Sequence, residues 1–252
     1  MPIAVTDPNW LRSAQGEVWE YASGDLESLF RSLDLGNPKR SRDVLLREVP
    51  QLTSFYGEQV ALDAVDWYDE LRYLEGVPGR YRAKMAPTFP ERFVQKRIRY
   101  GAGHLFTDRP NLMLPFLLDS AQKYVLQPGR DTIQLSAAND PNASGWMRVT
   151  SSNACDFCVM LAGRGDVYKR RTAMFASHGN CNCSAAPSWD PNASEVPVSA
   201  YEASERMQKV RNRAADGDED AHESLRWHRG RARSFLEDEQ EYLEYLRSHS
   251  RR

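Results

Sequence analysis

The sequence predicts an α+β fold, mainly α, and three observations point to it. Residues 1–144 carry apolar side chains at three- and four-residue spacing, broken by short loops. At Gly145 β-type residues begin, and all four cysteines then fall between Cys155 and Cys183. From Ser199 onward charges come in blocks and apolar residues are sparse. The expected organisation is a helical body over 1–144, a small β/loop Cys/His module over 145–198, and a charged helical docking segment over 199–252.

The helical body reads in order. Asp7-Pro8 is a helix start, with Asp7 as N-cap and Pro8 in the first turn. Trp19, Ala22, Leu26, Leu29, Phe30 and Leu33 then mark one face. Gly36-Asn37-Pro38 ends that helix and begins a short one to Val49, where Pro50 predicts an interruption. Leu52, Tyr56, Val60, Trp67, Leu71 and Leu74 form the next stripe, closed by Gly76. Residues 80–99 are strongly basic, with Tyr81, Phe89 and Phe93 interleaved. Within them Arg92, Lys96, Arg97 and Arg99 are candidate contacts for nucleic acid or a partner, against the alternative of a solvated helix face. Asp108-Arg109-Pro110 opens another helix to Gln127, and Pro128 predicts the start of one more. Asn139-Asp140-Pro141-Asn142 stops it. Short loops between such segments predict antiparallel neighbours.

After Gly145, Trp146-Met147-Arg148-Val149-Thr150 reads as a strand, and Val167-Tyr168 as a second extended piece. This strand-and-loop part ends near Pro187. The C-terminal segment alternates basic and acidic blocks, too poor in apolar residues for its own core. It must lie on the body or on a partner.

The 252 residues include 41% hydrophobic positions and six Trp, enough for a sizeable core. With 33 basic and 35 acidic residues the net charge is −2, so the whole chain is no obvious polyanion binder. No apolar run approaches the ~20 residues that span a bilayer, so no membrane is expected. Met1 to Asp7 has neither the basic start nor the apolar run of a secretory signal, which predicts a reducing cytoplasm.

The cysteine stretch reads C-D-F-C-V-M-L-A-G-R-G-D-V-Y, then K-R-R-T-A-M-F-A-S, then H-G-N-C-N-C. C-x2-C followed by H-x2-C-x-C is metal-ligand spacing. The candidate ligands are Cys155, Cys158, His178, Cys181 and Cys183, five for the four positions of tetrahedral zinc. A disulfide framework would need an oxidising compartment, and a Cys181–Cys183 bridge would be strained. A redox C-x2-C leaves the second pair unexplained. A structural Zn²⁺ is therefore the expected cofactor: a fragment of some 40 residues is marginal alone, and metal binding energy becomes folding energy.

G-W-M-R-V-T leading into C-D-F-C-V-M-L-A-G-R-G-D-V-Y and H-G-N-C-N-C resembles the phage Mu F-like minor head proteins, especially those of tailed phages of actinobacteria. The likeness is sharpest over residues 145–187 and rests on layout in the helical half. It implies a virion protein acting in head morphogenesis, inside the capsid or at the portal vertex, and in the host cytoplasm during assembly. The implied partners are the portal, the major capsid or scaffold protein, and packaged DNA. By position, the family's Cys/His pattern falls on the same five residues. The neighbouring or equivalent protein in many of these phages is described as a maturation protease. Here Ser151, Ser152 and Ser177 lie in no G-x-S-x-G elbow, and no H-E-x-x-H helix is present. A Cys158–His178 dyad would leave Cys181 and Cys183 without a role. The expectation is a structural minor capsid protein with no enzyme activity; a maturation protease and a nucleic-acid-binding zinc protein are the alternatives.

Overall fold

A computed structural model of the chain describes residues 4–150, 154, 156–163, 168, 175, 177, 181–192, 212–213, 215–218, 241–242, 244–246 and 248–249. Helices α1 (Asn9–Arg31), α2 (Pro38–Leu74), α3 (Glu91–Gly101) and α4 (Met113–Asn139) come first. A two-stranded antiparallel sheet follows, β1 (Gly145–Val149) with β2 (Ser184–Ser188), and the short α5 (Asp156–Ala162) lies between its strands. The fold is α+β and mainly α, as the sequence predicts.

The first helix begins one residue later than expected. Pro8, and not Asp7, stands at the N-cap, with no side-chain cap; Asp7, one residue further out, accepts the Asn9 backbone N–H on its Oδ1 at 2.8 Å. Ala22, Leu26 and Phe30 are buried, and Trp19, Leu29 and Leu33 pack partly covered beside them.

Both internal prolines correct the sequence reading. Pro50 does not interrupt: α2 runs through it for 37 residues. Pro50 has no N–H, so the Leu46 carbonyl loses its helical donor. Gln95 Nε2, from α3, donates to that carbonyl at 3.3 Å. Thr53 Oγ1 donates to the Val49 and Pro50 carbonyls at 3.0 and 3.1 Å. Pro128 likewise opens no new helix but sits inside α4. Gly57 of α2 lies against it, where a Cβ would stand 3.3 Å from Pro128 Cγ and 3.4 Å from the Tyr124 carbonyl, to which Pro128 has no N–H to offer. The next residue, Gly129, is tighter still. A Cβ there would be 2.9 Å from the Val60 backbone oxygen and 2.5 Å from Gln15 Nε2. Close packing of α4 against α2 and α1 therefore outweighs the ~3 kcal/mol that a proline costs inside a helix.

The strand β2 has no β-type signature in its sequence, Ser-Ala-Ala-Pro-Ser, and the sequence reading missed it. It pairs Met147 with Ala186 and Val149 with Ser184, and all five residues are buried. Pro187 stands opposite Trp146, whose own N–H turns the other way to the Tyr168 carbonyl at 3.1 Å. That register makes no demand for the missing donor. Tyr168 is the second extended piece expected from Val167-Tyr168, of which only Tyr168 is among the described residues.

One core cluster joins Leu11, Trp67, Tyr68 and Ile133 of the helices to Trp146, Phe175 and Ala185 of the sheet region. At its edge Asp140, fully buried, accepts from Arg72 Nε at 2.9 Å, Trp189 Nε1 at 3.0 Å and the Tyr68 hydroxyl at 3.2 Å. Arg72 also donates to the carbonyls of Val77, Pro78 and Gly79, where Gly76 and Gly79 take φ of 63° and 76°. Positive φ of that size favours glycine.

Most of 199–252 lies outside the described residues. The described part near its end lies on the body: Tyr242 and Leu246 are buried in the core formed by α1 to α4. Tyr242 stacks on Phe89 at 3.8 Å between ring centroids, and its hydroxyl donates to Asp131 Oδ2 at 2.9 Å.

Candidate metal centre

Cys158 comes from α5, and Cys181 and Cys183 from the segment entering β2. Cys158 sits in the second position after the start of α5, so a helix and not a loop presents its sulfur. All three sulfurs are buried and lie within 4.8 Å of one another. Cys158 Sγ and Cys181 Sγ are 3.7 Å apart. Disulfide sulfurs would stand at about 2.0 Å. Two sulfurs each ~2.3 Å from a tetrahedral ion stand about 3.8 Å from one another. The three thiols therefore fit a soft cation held between α5 and the start of β2. Cys155 and His178, the remaining candidates, lie outside the described residues.

The last helix of the body, α4, holds this loop from below. Arg130 is completely buried; its Nε donates to the Cys183 carbonyl at 2.8 Å and its Nη2 to the Cys181 carbonyl. Gln127 Nε2 donates to the Phe175 carbonyl at 3.0 Å and to Asp131 Oδ1 at 2.9 Å. Ser177 Oγ donates to Gln127 Oε1 at 2.7 Å, and Gln134 Oε1 accepts the Phe175 N–H at 2.9 Å. From β1, Arg148 Nη1 reaches Cys158 Sγ at 3.7 Å. The Phe175 ring lies beside both guanidiniums, with Arg148 Cζ 3.7 Å and Arg130 Cζ 5.0 Å from its centroid.

The electrostatics follow from burial. A hydrogen bond with Cys158 pulls the Cys183 thiol down, but its bond with Cys181 and its burial outweigh that and push it up to about 11. Burial pulls Arg130 below its ordinary value, and negative charge at Cys181 and Cys183 opposes that pull. Arg130 and Arg148 were missed in the sequence. Arg148 has a local sign, a charged residue inside the otherwise apolar run Trp146 to Val149, but Arg130, between Gly129 and Asp131, has none.

The basic candidates share α3 but not one fate. Arg92 pairs with Glu241 at 3.4 Å and lies over Phe93, itself buried. Arg97 Nε donates to Ser120 Oγ at 3.1 Å, and its Cζ lies 4.6 Å from the Phe116 centroid. Arg99 is exposed and reaches Gln95 Oε1 at 3.4 Å, and Lys96 is exposed.

Residues 3–210, more than four-fifths of the chain, match the model of the VG15 protein family. The chain belongs to the VG15 protein family. It is thereby a phage-associated protein. The matched stretch takes in α1 to α5, both strands and all three clustered thiols of this VG15 chain. No curated protein and no solved structure matches it. Among its described residues no helix is long and apolar enough to cross a membrane.

Proposed function

We propose that this VG15 protein is a structural minor capsid protein of a tailed phage, acting in head morphogenesis near the portal inside the head. It would meet the portal and the major capsid or scaffold protein, and work first in the host cytoplasm and then in the virion. The observation that carries this reading is where the thiols lie. Cys158, Cys181 and Cys183 are buried in the seam between the sheet region and α4, among residues that hydrogen-bond backbone. An ion there would cross-link α5 to the segment entering β2, and bound zinc would supply folding energy to them. Ser177 gives its hydroxyl proton to a glutamine, which cannot act as a base.

The metal part is tested by elemental analysis: about one zinc per chain is expected, and a metal-free chain of unchanged stability would overturn it. The structural part is tested by incubating purified protein with scaffold and capsid proteins. No cleavage is expected; cleavage abolished by Cys158→Ser would make the protein a protease instead. Antibody labelling of disrupted heads should put the chain at the portal vertex.

A further inference from the structure

We infer that Arg130 and Arg148 are the charge-balancing and positioning residues of the thiol site, which takes a soft divalent cation as a negatively charged thiolate complex. This rests on the metal reading above. A divalent ion held by three thiolates and a neutral imidazole carries a net −1, and by four thiolates −2. Such charge is expensive in a dry interior unless an opposite charge sits beside it. Arginine cannot lose its proton to escape the same cost.

The two costs cancel where these groups meet. Arg130 is 0% exposed, and among the described residues no carboxylate forms an ion pair with it within 4.0 Å. Asp131, next in sequence, turns its carboxylate to Gln127 and Tyr242 instead. The guanidinium of Arg130 clasps both carbonyls of the C-x-C pair, Cys181 and Cys183, so it fixes where their sulfurs point. On the other side Arg148 brings a second positive charge, with Nη1 3.7 Å from the Cys158 sulfur. An N–H aimed at a ligating sulfur draws electron density from it, as partners around a ligand shell do. The face of Phe175 accommodates both cations and keeps them beside the sulfurs.

The test uses the full chain stripped of metal and titrated with Co²⁺ against a competing chelator, with apo-protein denaturation followed in parallel. Arg148→Met is expected to bind Co²⁺ about 10–100-fold more weakly and to move the sulfur-to-cobalt charge-transfer band to lower energy. Arg148→Lys keeps the charge and is expected to restore most of the affinity. A residue that served only the fold would lower apo stability and leave affinity and band in place, and that result overturns the inference. An equal loss in both variants also overturns it, because shape rather than charge would then set the affinity. Should Arg148→Met not fold, the lysine variant decides: retained affinity supports the inference and lost affinity sinks it. A wild-type chain that takes up no Co²⁺ defeats the metal reading and this inference together. Uptake unaffected by the variants defeats only the inference.

Discussion

Burial would raise the carboxyl of Asp140, but hydrogen bonds from Arg72, Trp189 and the Asn142 backbone outweigh it and hold the group below its usual value. A depressed carboxyl adds stability that is present above the unfolded value of about 3.9 and lost as pH falls through the folded value. Asp140→Asn leaves the Arg72 guanidinium buried without its counter-charge. It is expected to cost about 3–5 kcal/mol by urea denaturation at pH 7. Asp131 runs the other way. Burial pushes it up to about 6, and hydrogen bonds from Gln127 and Tyr242 and the charges of Arg130 and Lys123 only partly offset this. A raised carboxyl contributes stability that is full below about 3.9 and lost as pH climbs through about 6. Asp131→Asn should therefore flatten the decline between pH 4 and 6, worth at most about 3 kcal/mol. Denaturant midpoints at pH 4.5 and 7 check it; parallel slopes for variant and wild type would refute the assignment.

At the scale of elements, α4 organises the molecule. It passes through Pro128, takes α2 against Gly129 and aims Gln127, Arg130 and Gln134 at the thiol loop. Gly129→Ala would put a methyl 2.9 Å from the Val60 backbone oxygen, which has no rotamer by which to give way. Expected is a loss of about 1–3 kcal/mol, with weaker metal binding as Arg130 shifts; calorimetry with and without zinc measures both. The helices were legible because three- and four-residue spacing is local: the faces through Leu26 and Phe30, and through Val60 and Trp67, came out buried. Pro50 and Pro128 were misread because the Gln95 that serves the Leu46 carbonyl, and the Gly57 that receives Pro128, lie in other elements.

Over the whole molecule, the sheet and the helical body share a continuous core through Trp67, Ile133, Trp146 and Phe175. Removing zinc is therefore expected to lower a single cooperative melting transition rather than create an early one for the sheet region alone. Two resolved transitions after chelation would show that the shared core does not couple the parts. The far end of the chain joins the same body through Tyr242, whose hydroxyl meets Asp131 beside Arg130.

The sequence alone determined the mainly helical body, the change of character at Gly145, and a cysteine stretch of which three thiols converge. Those are readable because periodicity and ligand spacing lie within one continuous segment. Only the tertiary structure decided that Ser184–Ser188 is a strand, that Arg130 and Arg148 flank the sulfurs, and that Tyr242 docks on the body. Each of these depends on a partner in another element, from 10 residues away for Arg148 to 111 for Tyr242, and the residue types involved do not show locally which partner they will meet.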